Sequence, residues 1–451
     1  MDQPDDAAPT TDDEWPEEFG GGPAPKLVRT GNAKLTRNGK RKVEREERAA
    51  LETRRERAVH WARFHRLATG AIILAIPLCI LLGTTWAQAM TKPGQESFQA
   101  RNVQWLRDIH MGWMVDRVEQ LYYSREQPPD GGTPDQAIGP SGAAPTTVEE
   151  ETSDDEEETP TTPATIPHLA LPPPVATPAA EPLPDEGTWF PAGPDLGGFH
   201  GVYTTKVRPN DQKTSLLVFV AWVDPTVTDV QIQPGLELPG GTWTNPSQIP
   251  PDRCQDAILA FNGGFRFDQA RGGWYSDGRQ GVPLRDGAAS MVQYPDGRYA
   301  IGEWGRDFGE ADLPGMTTVR QNLELLVDNG EPVANIDTND WGAELANSYF
   351  IWRSGYGITA DGALIYVGGP GLQPRDLAQT LINAGAVRGF EGDINPEWVA
   401  ANLFSTGPDG TCTGTPSLEG SQDKGGQRSP GDRYLSPDTR DFVAVYTKPQ
   451  G

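Results

Sequence analysis

Residues 349–393 read YFIWRSGYGITADGALIYVGGPGLQPRDLAQTLINAGAVRGFEGD. Two apolar runs flank an Ala-Asp-Gly turn signal at Ala360, which is typical of a β-hairpin. An amphipathic segment follows, with Pro374 placed in a first helical turn and Gly385 placed as a C-cap. A third apolar run then ends in two acidic residues. The stretch therefore predicts two strands, a helix and a further strand.

Other strand-like runs lie on both sides of this stretch, separated by turn signals rich in Gly, Pro and Asp. They are Ser215–Val223, Asp256–Gly264, Ala289–Tyr294, Leu323–Asp328 and Asp441–Tyr446. Many strands with few helices predict an α+β domain with a mixed β-sheet over residues 188–451.

Upstream, Leu67–Ala87 reads LATGAIILAIPLCILLGTTWA and carries no charge. A run of this length and apolar character is what an α-helix needs to cross a bilayer. Five arginines lie just before it: Arg54, Arg55, Arg57, Arg63 and Arg66. Only Lys92 and Arg101 follow closely, so the positive-inside rule places residues 1–66 in the cytoplasm. The chain is predicted to be a single-pass protein of the cell membrane, with its C-terminal domain extracellular.

Sharp changes in charge and composition divide the chain into five parts. These are a cytoplasmic tail (1–66), disordered and then basic with helical spacing, a transmembrane helix (67–90), a juxtamembrane helix (91–126), an acidic Pro-rich linker (127–187) and the extracellular domain (188–451). Apolar residues at helical spacing in 98–123 suit self-association, contact with lipid headgroups or ordinary packing. The acids and prolines of the linker favour an extended, disordered spacer.

The composition excludes several classes of function. The 451 residues carry a formal net charge of −25, which excludes binding of nucleic acid through bulk charge. Of the five histidines, only His200 lies beyond residue 187. A zinc site with several histidines is therefore excluded in the C-terminal domain, and a Ser-His-Asp triad would have to use His200. The remaining candidates for a general acid or base in this domain are therefore carboxylates, Tyr, Lys or water.

Cys254 and Cys412 are the two cysteines beyond the membrane segment. An extracellular location and an even number favour a disulfide between them, with two buried thiols as the alternative. Neither cysteine lies in a motif typical of a nucleophile.

Glu391 and Asp393 are the candidate catalytic residues. Residues two apart on a strand face the same side, with Cβ atoms about 6–7 Å apart. Ends of strands are common positions for active sites in α/β folds. Such a pair suits a general acid and base, or binding of a divalent cation as cofactor. The alternative is plain turn capping by Asp393.

Six residues in three other segments are candidates for binding substrate: Asn262, Gly263, Gly264, Arg320, Asn322 and Arg353. The Asn-Gly-Gly strand end lets backbone N–H groups approach a ligand. Arg320 and Asn322 alternate before a strand, so both can face one side. Arg353 ends an apolar run, where a guanidinium is either paired in the core or directed at an anion.

These segments, in this order, resemble the phosphodiester glycosidase family of uncovering-enzyme-like domains. The likeness covers residues 200–447, with an NGGF strand end at Asn262–Phe265, Arg353 before an Asp-Gly hairpin, and then a helix and a strand that ends near Asp393. The resemblance implies a hydrolase of sugar–phosphate linkages. In such a hydrolase we expect Arg353 to hold the phosphate, with Arg320 assisting. With its membrane segment, Pro-rich spacer and the runs YVGGPGL and RYLSPDTRDF, the chain is similar to a membrane-anchored branch in high-GC Gram-positive bacteria.

The last motif departs from the family pattern. The family has a run resembling Leu-Asp-Gly-Gly-Gly-Ser, whereas this chain has Glu391-Gly-Asp-Ile-Asn-Pro-Glu-Trp and lacks the Gly-Gly-Ser that would line a phosphate. Two hypotheses follow. The first is an extracellular hydrolase acting on sugar–phosphate linkages of cell-envelope polymers. The second is a non-catalytic anchored module that binds wall glycans or organises envelope proteins.

Overall fold

The computed structural model describes residues 37–125, 127–139, 167–337, 341, 349–420 and 425–448. The predicted disordered start of the tail and the acidic centre of the linker lie outside these residues. The chain divides into two compact units, one on each side of the Leu81–Leu82 bond.

The first unit consists, in its described part, of helix α1 (Arg37–Met90), whose last turns belong to the second unit. The basic segment before the apolar run is therefore helical and continuous with it. Side chains of the apolar run point outward, since Ile73 is 63% and Leu74 is 75% exposed. Among the described residues, α1 is the helix that is long and apolar enough to cross a membrane.

The juxtamembrane segment forms two helices, α2 (Phe98–Asp108) and α3 (Gly112–Arg125), where the sequence predicts one. His110 adopts a left-handed φ of 63°, which ends the first helix and turns the chain back. Arg107 reaches across the turn to Asp116 at 2.8 Å. The two helices make a short hairpin, and self-association of this segment stays a prediction.

The second unit contains three antiparallel sheets and few helices, which confirms the predicted α+β class. Its strands are β1 (Phe190–Ala192), β2 (Val202–Val207), β3 (Val218–Val223), β4 (Thr228–Gln233), β5 (Ala257–Asn262), β6 (Trp274–Ser276), β7 (Arg279–Val282), β8 (Ala289–Gln293), β9 (Tyr299–Glu303), β10 (Thr318–Gln321), β11 (Leu325–Asp328), β12 (Glu331–Pro332), β13 (Ile351–Thr359), β14 (Leu364–Leu372), β15 (Ala386–Glu391), β16 (Ala401–Thr406), β17 (Cys412–Pro416) and β18 (Phe442–Thr447). The two further α-helices are α4 (Phe267–Ala270) and α5 (Pro374–Asn383). The sheet orders are β1-β2-β3-β14-β13-β15-β11-β12, β7-β6-β10-β8-β9 and β17-β16-β5-β18-β4.

The predicted strand–strand–helix–strand order forms the centre of the large sheet. β13 and β14 are the hairpin, with Tyr356 opposite Tyr366, and β15 returns beside β13. α5 covers one face, where Leu377 and Leu381 are fully buried. The other face packs through residues such as Phe390 against the remaining sheets. Burial on both faces explains why β14 is apolar throughout, whereas β13 and β15 also contain the buried ion pair of Arg353 and Glu391.

Both described ends of the predicted linker pack against the second unit. Val175 is only 2% exposed and belongs to the core. Glu186 pairs with Arg208 at 2.8 Å, and Asp130 pairs with Lys213 at 2.6 Å. The predicted domain boundary after residue 187 therefore falls inside the packed unit, because apolar and acidic residues among the prolines find partners there.

A fragment that begins at residue 188 is expected to unfold more easily than one that begins at residue 167. Loss of Glu186 leaves the buried Arg208 guanidinium without its carboxylate, and removing one partner of a buried pair costs about 3–5 kcal/mol. The two fragments differ only in residues 167–187, so urea unfolding of both measures this segment directly. Equal midpoints would contradict the packing.

The sulfur atoms of Cys254 and Cys412 are bonded, with their Cα atoms 5.9 Å apart and a sequence separation of 158 residues. This is the pairing that the sequence predicts. The bridge ties the segment before β5 to the start of β17.

Replacing Cys254 and Cys412 together by Ala is expected to lower the free energy of unfolding by about 2–4 kcal/mol, because the unfolded chain regains the entropy of a long loop. Denaturant unfolding of the double variant measures the loss. Labelling of the native protein with a thiol reagent checks the pairing independently. One thiol should react, that of Cys79, because Cys79 is the free cysteine. Labelling of three thiols would overturn the assignment.

Candidate active site

The turn after β5 and the end of β15 lie against each other. Phe265 N–H donates to Gly392 O at 3.1 Å. The side-chain amide of Asn322 donates to Gly392 O at 2.9 Å and also to Glu391 O. Asn322 Oδ1 accepts from Phe265 N–H at 3.2 Å. Two segments predicted to form the site therefore meet, and Asn322 joins their backbones.

The two glycines of this turn are required by close packing. A Cβ atom on Gly263 would lie 2.1 Å from the Asp441 carboxylate, and Gly264 has a φ of +130°. Gly263 N–H donates to Asp441 O at 2.9 Å. The Gly263 amide, predicted to approach substrate, is used inside the protein in this structure.

Arg320 is fully buried, and the protein uses each nitrogen of its guanidinium. Nε donates to Asp441 Oδ2 at 2.9 Å. Nη1 donates to Asn322 Oδ1 at 2.8 Å, and Nη2 donates to Phe265 O at 2.6 Å. Arg320 therefore lies behind the turn, which it fixes to the residue preceding β18.

Asn262 is also held in a buried network. Its amide nitrogen donates to Ser354 Oγ at 3.0 Å, and its side-chain oxygen accepts from the Tyr366 hydroxyl at 2.8 Å. Ser354 Oγ accepts from Asp393 N–H at 2.9 Å. Through Ser354, Asn262 supports the backbone that carries Asp393.

Arg353 and Glu391 form a fully buried ion pair, with Nη1 2.7 Å from Oε1. Arg353 Nε donates to Leu372 O, and its Nη1 donates to Trp341 O, both at 3.1 Å. Within the described residues, Arg353 Nη2 and Glu391 Oε2 have no hydrogen-bond partner although both atoms are buried. One donor and one acceptor of this pair therefore remain unused.

Glu391 is a carboxyl whose acidity is changed by its surroundings. Burial raises the pKa of Glu391 to about 7, against the opposing effect of the Arg353 guanidinium. The negative charge of Asp393 adds to the rise. A carboxyl with this pKa exchanges protons near neutral pH, as a general acid or base must.

Asp393 has different partners from Glu391. Its Oδ2 accepts from Arg440 Nη1 at 3.0 Å, and its Oδ1 accepts from Asn395 N–H at 2.8 Å. Burial raises the pKa of Asp393, and the Arg440 charge opposes the shift. The two predicted carboxylates therefore pair with separate arginines, and Asp393 also caps the turn after β15.

This set of donors does not fit a divalent cation. A cation bridging Glu391 and Asp393 would have to displace both arginines. In the part of the chain that the structure describes, no group of three or more His, Cys, Asp or Glu side chains could hold a metal ion. The groups available for chemistry here are the carboxyls and the guanidiniums.

Asp393 lines a cleft of about 450 Å³, which we name the Asp393 cleft. One wall is formed by Phe265, the loop 393–398, Arg428 and Arg440. The other wall comes from helices α2 and α3. The helical hairpin that follows the apolar run of α1 therefore contributes directly to the candidate site.

Arg440 and Trp398 are residues of the site that the sequence motifs do not assign. The Arg440 guanidinium stacks on the Trp398 ring at 3.7 Å, and Arg433 lies over the same ring at 4.7 Å. Burial lowers the pKa of Arg440 to about 10, although the Asp393 charge opposes the shift. Both arginines belong to the run RYLSPDTRDF, and its charges beside a predicted strand are the signal that points to them.

Comparison with known proteins yields distant likenesses. No family model matches the chain, and no curated protein matches it. The catalytic domain of zebrafish N-acetylglucosamine-1-phosphodiester alpha-N-acetylglucosaminidase, auto-inhibited by its pro-peptide, is 16% identical, with 57% of this chain and 87% of that chain covered and a TM-score of 0.37. A hypothetical protein from Synechocystis is 13% identical (55% and 62% covered, TM-score 0.29). A putative exported protein from Burkholderia pseudomallei is 12% identical (51% and 74% covered, TM-score 0.28). The first of these is a remote likeness to a phosphodiester glycosidase.

Proposed function

We propose that the chain is a membrane-anchored extracellular hydrolase of sugar–phosphate linkages in the cell envelope. The observation that carries the proposal is the buried Arg353–Glu391 pair, in which one guanidinium nitrogen and one carboxylate oxygen have no partner among the described residues. The reaction needs a guanidinium that can hold a phosphate oxygen and a carboxyl that titrates near neutral pH.

In the proposed reaction, Arg353 donates to a phosphate oxygen and thereby orients the linkage. Ionised Glu391 accepts a proton from a water molecule as the water oxygen bonds to the anomeric carbon. The bond from that carbon to the phosphate oxygen breaks, and its electron pair leaves with the phosphate monoester. Because a phosphate monoester leaves readily, help to the attacking water is the larger contribution of the protein.

A non-catalytic anchored module that binds wall glycans or organises envelope proteins is the second candidate. It is favoured by the complete burial of Arg353 and Glu391, since buried ion pairs also occur as purely structural elements. The missing Gly-Gly-Ser run of the last motif points in the same direction.

The two functions are separated by assaying purified full-length protein on sugar-1-phosphodiesters and on O-glycosides of the same sugars. The hydrolase releases free sugar from the phosphodiesters alone, and added divalent cations leave the rate unchanged. Release from both classes would reject the proposed chemistry. Release from neither, while wall glycan still binds, would support the module.

Protease added to intact cells is expected to remove the residues that follow the membrane segment and to spare residues 1–66. The reason is that the arginine-rich flank of the apolar run stays on the cytoplasmic side. Mass spectrometry of the surviving fragment measures the outcome. A reporter that is fused after Gly451 and works only in the cytosol would contradict this orientation.

A further inference from the structure

Helix α2 is tied to the last turns of α1, where its apolar run ends. Trp86 Nε1 donates to Asn102 Oδ1 at 2.8 Å. Trp105 Nε1 donates to Thr85 Oγ1 at 3.2 Å. Because the apolar run ends at Ala87, these bonds hold α2 beside the end of that run.

Further contacts fix the Asp393 cleft to the same segment. Ser97 N–H donates to Glu397 Oε1 at 2.8 Å, and Glu397 belongs to the loop that forms the polar wall of the cleft. Arg266 lies 3.3 Å from Asp108 at the end of α2. The cleft is therefore held close to the residues that end the apolar run, and not at the end of a long spacer.

The helix wall of the cleft contains polar side chains and an apolar stripe, and the stripe continues beyond the cleft. Val103, Val118 and Tyr122 line the cleft. Val118 is 66% exposed, Tyr122 is 46% exposed, and Met114, one turn earlier, is 40% exposed. The spacing of Met114, Val118 and Tyr122 places them on one side of α3, so an apolar stripe leads out of the cleft.

The facing wall is polar and offers both donors and acceptors. Arg428 Nε is buried and has no partner within the described residues. Arg440 is paired with Asp393, and Glu397 adds a second carboxylate to the same wall. Guanidiniums suit a phosphate, and carboxylates accept hydrogen bonds from sugar hydroxyls.

We propose that the Asp393 cleft takes a membrane lipid that carries a sugar phosphate, with the head group against the polar wall that contains Arg428 and the hydrocarbon chain along Val118 and Tyr122. This inference rests on the proposed function and narrows its substrate to a sugar phosphate linked to a lipid of the anchoring membrane. Hydrolysis between the anomeric carbon and the phosphate oxygen adds water, releases free sugar and leaves a lipid phosphate. The apolar stripe shields part of the chain from water when the head group enters the cleft.

Binding is tested with full-length protein in lipid nanodiscs and a diazirine-bearing dodecyl phosphate as photo-crosslinking probe. Crosslinks are expected on α3 and on the loop 393–398. Unlabelled dodecyl phosphate should compete at least about tenfold better than inorganic phosphate or dodecyl glucoside, because each of these lacks one half of the recognised structure.

Two variants test the two walls separately. Arg428→Gln should weaken crosslinking about tenfold, whereas Arg298→Gln, a matched change of an exposed arginine, should leave it unchanged. Val118→Asp should weaken crosslinking to a similar extent, whereas Leu121→Asp on the same helix, outside the cleft lining, should not. If Val118→Asp fails to fold by circular dichroism, Tyr122→Gln replaces it.

Equal competition by inorganic phosphate would mean that the site recognises free phosphate and would overturn the inference. Wild-type crosslinking in both wall variants would overturn it as well.

Turnover of methyl and dodecyl diesters of the same sugar-1-phosphate then separates the two proposals. Equal rates would reject the lipid substrate and keep the hydrolase, whereas wall-dependent binding of dodecyl phosphate without turnover of any diester would keep the lipid site and reject the hydrolase.

Discussion

Replacing Glu391 by Gln is expected to lower the rate of sugar release from a sugar-1-phosphodiester by about 10²–10⁴-fold, the range that a positioned acid–base group contributes. Gln keeps the size of the side chain and an oxygen that can accept from Arg353. It cannot take a proton from water. Rates at saturating substrate on purified full-length protein measure the loss.

The wild-type rate is expected to rise with pH through about 7. Burial raises the pKa of Glu391 to about 7, and only the ionised carboxylate accepts a proton. The residual rate of Glu391→Gln should lack this rise. A wild-type rate that stays level across this range would reject Glu391 as the base.

The same titration predicts how Glu391 affects stability. Its pKa is raised in the folded protein from 4.5 to about 7, so the native state binds more protons than the unfolded chain between these pH values. The stabilisation from this group is complete below the unfolded pKa and is lost as the pH rises through the folded pKa. The Gln side chain of Glu391→Gln resembles the protonated carboxyl. The free energy of unfolding of this variant should therefore equal that of the wild type at acidic pH. Glu331→Gln, on exposed β12, is the control and should change neither rate nor stability.

Replacing Arg320 by Met is expected to lower the free energy of unfolding by about 3–5 kcal/mol, because the buried Asp441 carboxylate loses its partner. Arg320 is 0% and Asp441 is 2% exposed. The turn at Phe265 and the Asn322 side chain lose a donor at the same time. Urea unfolding of the full-length protein measures the effect.

The exposed pair Arg298–Asp296 provides the matched control. Its side chains are 68% and 53% exposed, and water screens the charges of such a surface pair, so Arg298→Met should hardly change the free energy of unfolding. Adding Asp441→Asn to Arg320→Met should recover part of the loss, since the unpaired charge is then removed. If Arg320→Met were as mild as Arg298→Met, Arg320 would not hold the turn.

The strand–strand–helix–strand order of residues 349–393 could be predicted because each signal is local. The Asp-Gly turn closes the hairpin, and Pro374 and Gly385 bracket α5. Burial on both faces makes β14 apolar throughout. These signals act over a few residues, so they can be read without knowing what packs against them.

The partners of the site's charges could not be predicted in the same way. Glu391 and Asp393 are two apart in the sequence, but β15 ends at Glu391 and Asp393 enters the following turn. Arg440 reaches Asp393 from the segment before β18. Pairings of this kind depend on how whole sheets pack, and a local pattern contains no information on them.

The hairpin of α2 and α3 could not be predicted from the sequence for a related reason. The apolar spacing of residues 98–123 continues through the break, so periodicity predicts one helix, whereas the left-handed backbone at His110 ends α2. In the predicted linker, the average composition of the segment predicts disorder. It does not reveal that single residues such as Val175 and Glu186 pack into the domain.

Strand β18 lies between β4 and β5, and the residue before it, Asp441, holds both Gly263 and Arg320. The turn that supports the candidate site therefore cannot close until the chain has been made through residue 447. A chain that stops before residue 442 lacks this inner strand, so β4 and β5 lose the partner that joins them in the sheet. Removal of β18 should therefore loosen the turn that supports the candidate site, although Glu391, Asp393 and Arg440 remain in the chain.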